Sequence, residues 1–256
     1  MSGGVSLVMP MAGRGSRFAR AGETRPKPLI ELAGAPFFWW ACESLRRAVP
    51  VEEMVFVVLA EHCRDHGIDR AILFHYPQAR IVALPEVTAG AAETAMLGVK
   101  ALRSRAPLAI NDCDHAFRAP HMGRAVEEMR AGRIAGALLG FASQDPAYSY
   151  MRLDAQGAVC GTVEKQVVSP HAIAGCYWFA SPDEMRGRYA AYRASCSYPE
   201  LFMSGLYNQM LAEGARIGRI EARRHVSFGT PEECARLDPV RFAADFGPAP
   251  RKAPPA

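Results

Sequence analysis

Three cations and two carboxylates stand where a phosphate chain could be gripped. Gly13-Arg14-Gly15-Ser16-Arg17-Phe18 follows the short apolar run Val5 to Met9, and Lys27 comes soon after, between Pro26 and Pro28. Glycines let backbone amides converge on phosphate oxygens. Arg14 and Arg17 supply forked donors, and the flanking prolines stiffen the segment that carries Lys27. A nucleoside triphosphate needs this combination. Further on, Pro107 to Ile110 runs into Asn111-Asp112-Cys113-Asp114. One or two carboxylates at a strand end suit Mg²⁺, which takes hard oxygen ligands together with waters and substrate phosphates.

Two commoner glycine-rich loops do not fit. The dinucleotide fingerprint needs a small residue at its sixth position and a helix running on from it. Here the sixth residue is Phe18, and Pro26 and Pro28 interrupt any such helix. The Gly-x4-Gly-Lys-Ser/Thr pattern of phosphate-loop NTPases does not occur in the chain.

The elements that must position these residues read as an α/β protein. Val5 to Met9, Met54 to Leu59, Arg80 to Leu84 and Pro107 to Ile110 are short, almost wholly apolar strands. Between them, Pro36 to Ala48, Cys63 to Phe74 and Ala91 to Leu102 read as helices. Continuous apolar strands alternating with helices predict a parallel sheet covered on both faces. Ligands bind beyond the carboxyl ends of such strands, so the loop and the aspartates are expected to share one cleft. In the second half, Ala135 to Phe141 and Ala172 to Phe179 read as strands, and Tyr150 to Leu153 with Val159 to Val163 as a hairpin. Pro182 to Tyr192, Leu201 to Glu213 and Pro231 to Leu237 read as helices, and Gly218 to Ala222 as a late strand. One domain is expected over 1–240, followed by a Pro-rich, disordered tail over 241–256.

Composition narrows the partners. Thirty Lys plus Arg against 26 Asp plus Glu leave a net +4, with no basic run and no basic–aromatic interleaving, which argues against nucleic acid. Seven cysteines without any Cys-x-x-Cys indicate neither a disulfide framework nor a zinc site. No apolar run is long enough to span a membrane and no secretory leader is read, so a cytoplasmic protein is expected. His62 and His66 stand at i, i+4 without a third ligand and are expected on a solvated helix face, while Phe37-Phe38-Trp39-Trp40 is expected in the core.

Pro10-Met-Ala-Gly-Arg-Gly-Ser-Arg-Phe with Arg-Pro-Lys-Pro-Leu-Ile resembles the signature of the nucleotidyltransferases that include the sugar-1-phosphate nucleotidyltransferases, or NDP-sugar pyrophosphorylases. Thr88-Ala-Gly-Ala-Ala is similar to the family segment that lies against the nucleobase, and Asp114-His-Ala-Phe to the strand end supplying its metal-binding aspartate. Val163-Glu-Lys and the strand from Ala172 resemble the acceptor segment, and Phe228-Gly-Thr-Pro-Glu the family's late turn. The resemblance, over residues 4 to 238, implies a three-layer Rossmann-like (GT-A-type) fold, in a short form without a C-terminal β-helix.

The same resemblance implies roles. Arg17, Lys27 and Lys165 are the catalytic cations, with Lys165 meeting the acceptor phosphate. Ala12, Gly13, Arg14, Gly15, Ser16, Glu86, Gly90 and Ala91 contact the nucleotide, and Glu164, Lys165 and Gly175 contact the acceptor. Asp114 is the first choice for Mg²⁺ and Asp112 the second. The expected reaction moves an NMP from an NTP to a phosphorylated acceptor, by default a sugar 1-phosphate, releasing pyrophosphate. Phosphocholine-like acceptors belong to the same chemistry. Many members place an aspartate two residues before the late glycine, where this chain has Ser227. A nucleotide-binding homologue without turnover therefore stays open, as does a GT-A glycosyltransferase holding its donor through Asp112-Cys113-Asp114. A homo-oligomer is also allowed.

Overall fold

A computed structural model describes residues 3–250. The first half lays down β1 (Val5–Met11), α1 (Ser16–Arg20), the ribbon β2 (Glu31–Leu32) and β3 (Ala35–Pro36), α2 (Phe37–Arg46), β4 (Val51–Leu59), α3 (Ala60–His66), α4 (Ile68–His75), β5 (Arg80–Leu84) and α5 (Ala91–Lys100). It continues with β6 (Leu108–Asn111), β7 (His115–Arg118) and α6 (Met122–Arg130). The second half adds β8 (Gly136–Ala142), β9 (Tyr150–Leu153), β10 (Val159–Val163), β11 (His171–Phe179), α7 (Pro182–Ser195) and α8 (Met203–Ala212). It closes with β12 (Ile217–Glu221), β13 (Arg224–Ser227), α9 (Pro231–Ala235) and α10 (Pro239–Phe246).

The large central sheet runs β5-β4-β1-β6-β11-β9-β10, with β8 pairing β11 and β12. β1 lies parallel between β4 and β6, with Val8 opposite Val55 on one side and Ile110 on the other. β11 enters antiparallel to β6, setting Cys176 against Asn111. β1 and β6 therefore end side by side, and the glycine-rich loop and the aspartate turn emerge from neighbouring carboxyl ends, as the alternation of elements predicts.

Two apolar layers sandwich the sheet. On one face Leu7, Met9, Phe56 and Trp178 pack under α2, with Phe37, Phe38, Trp39 and Trp40 all buried, as expected of that cluster. On the other, Val8, Val57 and Ile110 pack under α5, α7 and α8. Gly98 lets α5 settle onto the sheet: a Cβ there would lie 2.5 Å from Val8 Cγ1 and 2.7 Å from Val57 Cγ2.

Several expectations change. The helix read over Cys63 to Phe74 is broken by Gly67 at φ 62°, giving α3 and α4. Pro36 caps α2 rather than occupying its first turn. α6, which buries Met122, Ala125, Val126 and Met129 along one face, and the ribbon of β7 with β13 add to the elements expected from the sequence. His62 is buried rather than solvated, and its ring meets that of His66 at 6.2 Å. The tail expected from 241 begins as α10, capped by Asp238. Phe242 and Phe246, one helical turn apart, are buried, and the Phe242 ring meets Trp40 at 4.9 Å. Two aromatic rings burying their faces outweigh the breaker-rich composition around them. Residues 251–256 lie outside the described residues.

Replacing Gly98 with valine should cost about 1–3 kcal/mol, because the branched side chain must push α5 off β1 and β4. A urea melt of Gly98→Val that matched the unsubstituted protein would show that this contact is not tight.

Candidate active site

The cleft is built at the carboxyl ends of β1 and β6. After β1 the chain turns through Gly13 and Gly15, and Gly15 adopts φ 60° before α1 begins. A Cβ at Gly15 would lie 3.1 Å from Lys27 Cβ, so the loop folds directly onto the Pro26-Lys27-Pro28 segment. That segment is a 3₁₀ turn, with Leu29 N–H donating to the Pro26 carbonyl at 2.8 Å. α1 sets Arg17 and Arg20 one turn apart on its exposed surface.

The aspartate turn is pinned on every side. Asn111 is buried; its amide donates to the Ala41 carbonyl at 3.1 Å and its oxygen sits 3.0 Å from His115 Nε2. Asp112 N–H donates to the Gly175 carbonyl at 2.8 Å, and Phe228 N–H to the Asp114 carbonyl at 2.9 Å. Gly175 has φ 65°, and a Cβ there would lie 2.6 Å from Asp112 Oδ2. Left-handed backbone and close approach both require glycine at this position.

Lys27 Nζ reaches Asp114 Oδ2 at 2.8 Å, with the two side chains 24 % and 21 % exposed. Burial alone would lower the Lys27 pKa, but Asp114 reverses this and holds the ammonium charged. Burial works against the charged form of Asp114 too, and Lys27 overcomes it, keeping that carboxyl below its ordinary range. Asp112 has no such partner. Burial, then the charge of Asp114, pushes its pKa up to about 7 against the pull of Lys27. His115, pushed down by burial to about 4, is neutral beside them.

Two adjoining cavities meet at this turn. The larger, about 720 Å³, is lined by Ala12, Gly13, Gly15, Ser16, Arg17, Arg20, Lys27, Gly90, Ala91 and Lys165. The smaller, about 220 Å³, is lined by Tyr148, Ser149, Glu164, Gly175, Ser227 and Glu233. Arg17, Asp112, Asp114 and Phe202 face both. The chain has four lysines, Lys27, Lys100, Lys165 and Lys252, and two of them line the larger cavity.

The structure thus gathers most of the residues singled out from sequence. Arg14 and Glu86 are exceptions: both are exposed and neither lines a cavity of the cleft. Arg20, Tyr148, Phe202 and Glu233 went unassigned in the sequence. Arg20 was legible as the i+3 partner of Arg17 and Glu233 as the end of the Thr230-x-x-Glu233 capping box, but nothing local marks Tyr148 or Phe202. Ser227 ends β13 opposite His115. A Cβ at Gly229 would sit 2.6 Å from Asp114 Oδ2 and 3.5 Å from Glu233 Oε2, so the two carboxylates come close together over this glycine. Glu233 is held there by Tyr148 Oη at 3.1 Å and by Thr230 N–H at 3.0 Å.

A family model described as the MobA-like NTP transferase domain matches residues 8–197, taking in the loop, Lys27, the aspartate turn and Glu164-Lys165. The chain belongs to this family. As a MobA-like NTP transferase the protein is a nucleotidyltransferase. The family model stops short of the Ser227 to Glu233 segment.

Solved structures share the fold of this NTP transferase. A nucleoside-diphosphate-sugar pyrophosphorylase from Vibrio cholerae RC9 superposes with TM-score 0.75 at 24% identity, covering 90% of this chain and 98% of its own. A Bacillus anthracis protein assigned as a glucose-1-phosphate thymidylyltransferase, solved with a sucrose, gives TM-score 0.75 at 16% identity, over 96% and 98%. No curated protein matches the sequence.

The donor set at the aspartate turn fits a magnesium ion: two carboxylates on the wall of a cavity large enough to add phosphate oxygens and waters. Among the described residues no cluster of three or more His, Cys, Asp or Glu could hold a metal by itself, so such an ion would depend on substrate oxygens.

Asp112 makes the ligand-free protein pH-sensitive. A carboxyl whose pKa is raised on folding stabilises the fold most fully below its unfolded value, near 4, and that contribution is lost as pH climbs through about 7. Asp112→Asn should therefore gain in Tm relative to the unsubstituted protein between pH 5 and pH 8. A Tm difference independent of pH would contradict the raised pKa.

Proposed function

We propose that this nucleotidyltransferase moves an NMP from an NTP to a phosphorylated small molecule, most readily a sugar 1-phosphate, in sugar-nucleotide and polysaccharide biosynthesis. The observation that carries the reading is the pair of adjoining cavities sharing Arg17, Asp112 and Asp114. The larger, with its free loop amides and its arginines and lysines, suits a triphosphate. The smaller, with Glu164, Ser149, Tyr148 and Glu233, suits hydroxyl-rich groups that both donate and accept hydrogen bonds.

An oxygen of the acceptor phosphate attacks the α-phosphorus in line, forming the new P–O bond. The bond from the α-phosphorus to the β-bridging oxygen breaks, and pyrophosphate leaves with the electron pair. The attacking phosphate is already ionised, so no general base is needed, and catalysis is positioning and charge neutralisation. Arg17 and Arg20, with the amides of the loop, hold the β- and γ-phosphates. Lys27 turns from Asp114 toward the α-phosphate, and Lys165, on the wall of the larger cavity, holds the acceptor phosphate. Gly90 and Ala91 leave a smooth wall for the base. Magnesium held by Asp114, with Asp112, would supply neutralising charge at the α-phosphoryl group.

One observation favours a second reading, a nucleotide-binding protein without turnover: Ser227 supplies a hydroxyl where related enzymes place a carboxylate. Glu233, close to Asp114 over Gly229, offsets part of that loss of charge.

A matrix of NTPs against phosphorylated acceptors, glucose 1-phosphate and phosphocholine among them, read by pyrophosphate release with Mg²⁺, tests the proposal. Release with a sugar 1-phosphate supports it, release only with phosphocholine changes the acceptor class, and NTP binding without release with any acceptor supports the second reading. With the active pair, Lys27→Ala should lower turnover on the order of 10²–10³-fold while far-UV circular dichroism stays unchanged. Full turnover in that variant would remove Lys27 from the mechanism.

A further inference from the structure

The two lysines of the cleft are held in opposite ways. Lys27 is paired with a carboxylate at 2.8 Å. Lys165 makes no ion pair among the described residues. Its Nζ lies 4.6 Å from the centroid of the Phe202 ring, although Glu164 is its chain neighbour and Glu200 lines the same cavity. We infer that Phe202 is a positioning residue: its ring, which borders both cavities, holds the Lys165 ammonium on the wall of the larger one while leaving its charge free for an incoming phosphate. The inference rests on the reading of Lys165 as the group that meets the acceptor phosphate.

The physical reason lies in how a ring and a carboxylate differ as partners. A carboxylate beside an ammonium cancels its charge, and an incoming phosphate must then displace it. An aromatic face attracts the same ammonium through its quadrupole but carries no net charge. The ammonium has three rotatable donors, so one side can face the ring while the others face the cavity. A lysine otherwise loses much rotamer freedom when it binds. A ring that restricts it beforehand lowers that cost.

Both partners are held by the fold. Lys165 sits at φ 52°, an uncommon backbone state for a residue with a side chain. It fixes the direction in which the side chain leaves β10's end. Phe202 caps α8, and its carbonyl accepts from Tyr192 Oη at 2.7 Å. The Tyr198 ring packs edge-on against it at 5.9 Å. The preceding residue is bound to the wall expected to meet the base: Leu201 N–H donates to the Ala89 carbonyl at 2.9 Å, and Ala92 N–H donates to the Leu201 carbonyl at 2.8 Å. A Cβ at Gly90 would lie 2.5 Å from Leu201 N, so the two segments are in close contact. Phe202 therefore joins the base wall to the acceptor lysine.

The four lysines make the test direct. The full chain is labelled with [¹³Cε]-lysine, and the Lys165 resonance is assigned by its loss in Lys165→Arg. Inorganic phosphate, the chemistry common to every acceptor considered, is the probe. In the unsubstituted protein the Lys165 ε-protons should lie upfield through the ring current of Phe202 and should move on phosphate addition. Phe202→Leu should abolish the upfield position and raise the apparent Kd for phosphate at Lys165 about fivefold, and Phe202→Tyr should restore both. If Phe202→Leu leaves the Lys165 position or its phosphate response unchanged, or Phe202→Tyr fails to restore them, the positioning role is overturned and the reading of Lys165 stands. If the Lys165 resonance ignores phosphate even in the unsubstituted protein, the acceptor reading of Lys165 itself fails.

Discussion

The ion pair between Lys27 and Asp114 is the contact on which the cleft depends. It ties the segment after the glycine-rich loop to the turn after β6, closing a span of the chain that no local structure holds together. Both charges are three-quarters or more covered. Removing either would leave the other poorly solvated among carboxylates or glycine amides. The surrounding architecture serves this pairing. Gly15 folds the loop onto Lys27, Asn111 and Gly175 hold the turn, and β1 and β6 lie side by side so that the two can meet.

The pair also sets the charge of the site before substrate arrives. Asp114 is ionised because Lys27 faces it, and the pKa of Asp112 is raised by its burial and then by the neighbouring charge of Asp114, against the pull of Lys27. A triphosphate entering the larger cavity offers Lys27 a richer set of oxygens and frees Asp114 at the same time. The neutral state of His115 and His225, both pushed down by burial, means that the positive charge of the cleft comes from arginine and lysine alone and persists across the physiological pH range.

Much of this was readable along the chain because it rests on local rules. β1, β4, β5, β6 and α5 emerged from apolar runs and their spacing, β5 with the expected bounds and the others with ends displaced by one to three residues. The loop was separable from dinucleotide binding by Phe18, which packs into the core against Phe37 at 5.8 Å rather than opening a helix–strand contact. One miss was local: Gly67, a glycine in left-handed backbone, ends α3 and begins α4 within the stretch read as a single helix. The others had nonlocal reasons. α10 survives in a Pro- and Gly-rich stretch because Phe242 finds Trp40 and Phe228. Arg14 has the right chemistry in the right motif, yet its side chain does not line the cleft.

By itself the sequence determined which groups are present, in what order, and at which strand ends: glycines that can bend, cations that can meet phosphate, aspartates that can meet a hard cation. These follow from residue type and backbone preference within a few neighbours. Only the tertiary structure decided which of them meet. It paired Lys27 with Asp114 and Lys165 with Phe202, brought Glu233 to the side of the site where Ser227 lacks a carboxylate, and buried His62 on a helix that looked solvated. Charge state, partner and reach depend on neighbours remote in the chain. In this protein those neighbours are set by packing two helical layers against one sheet.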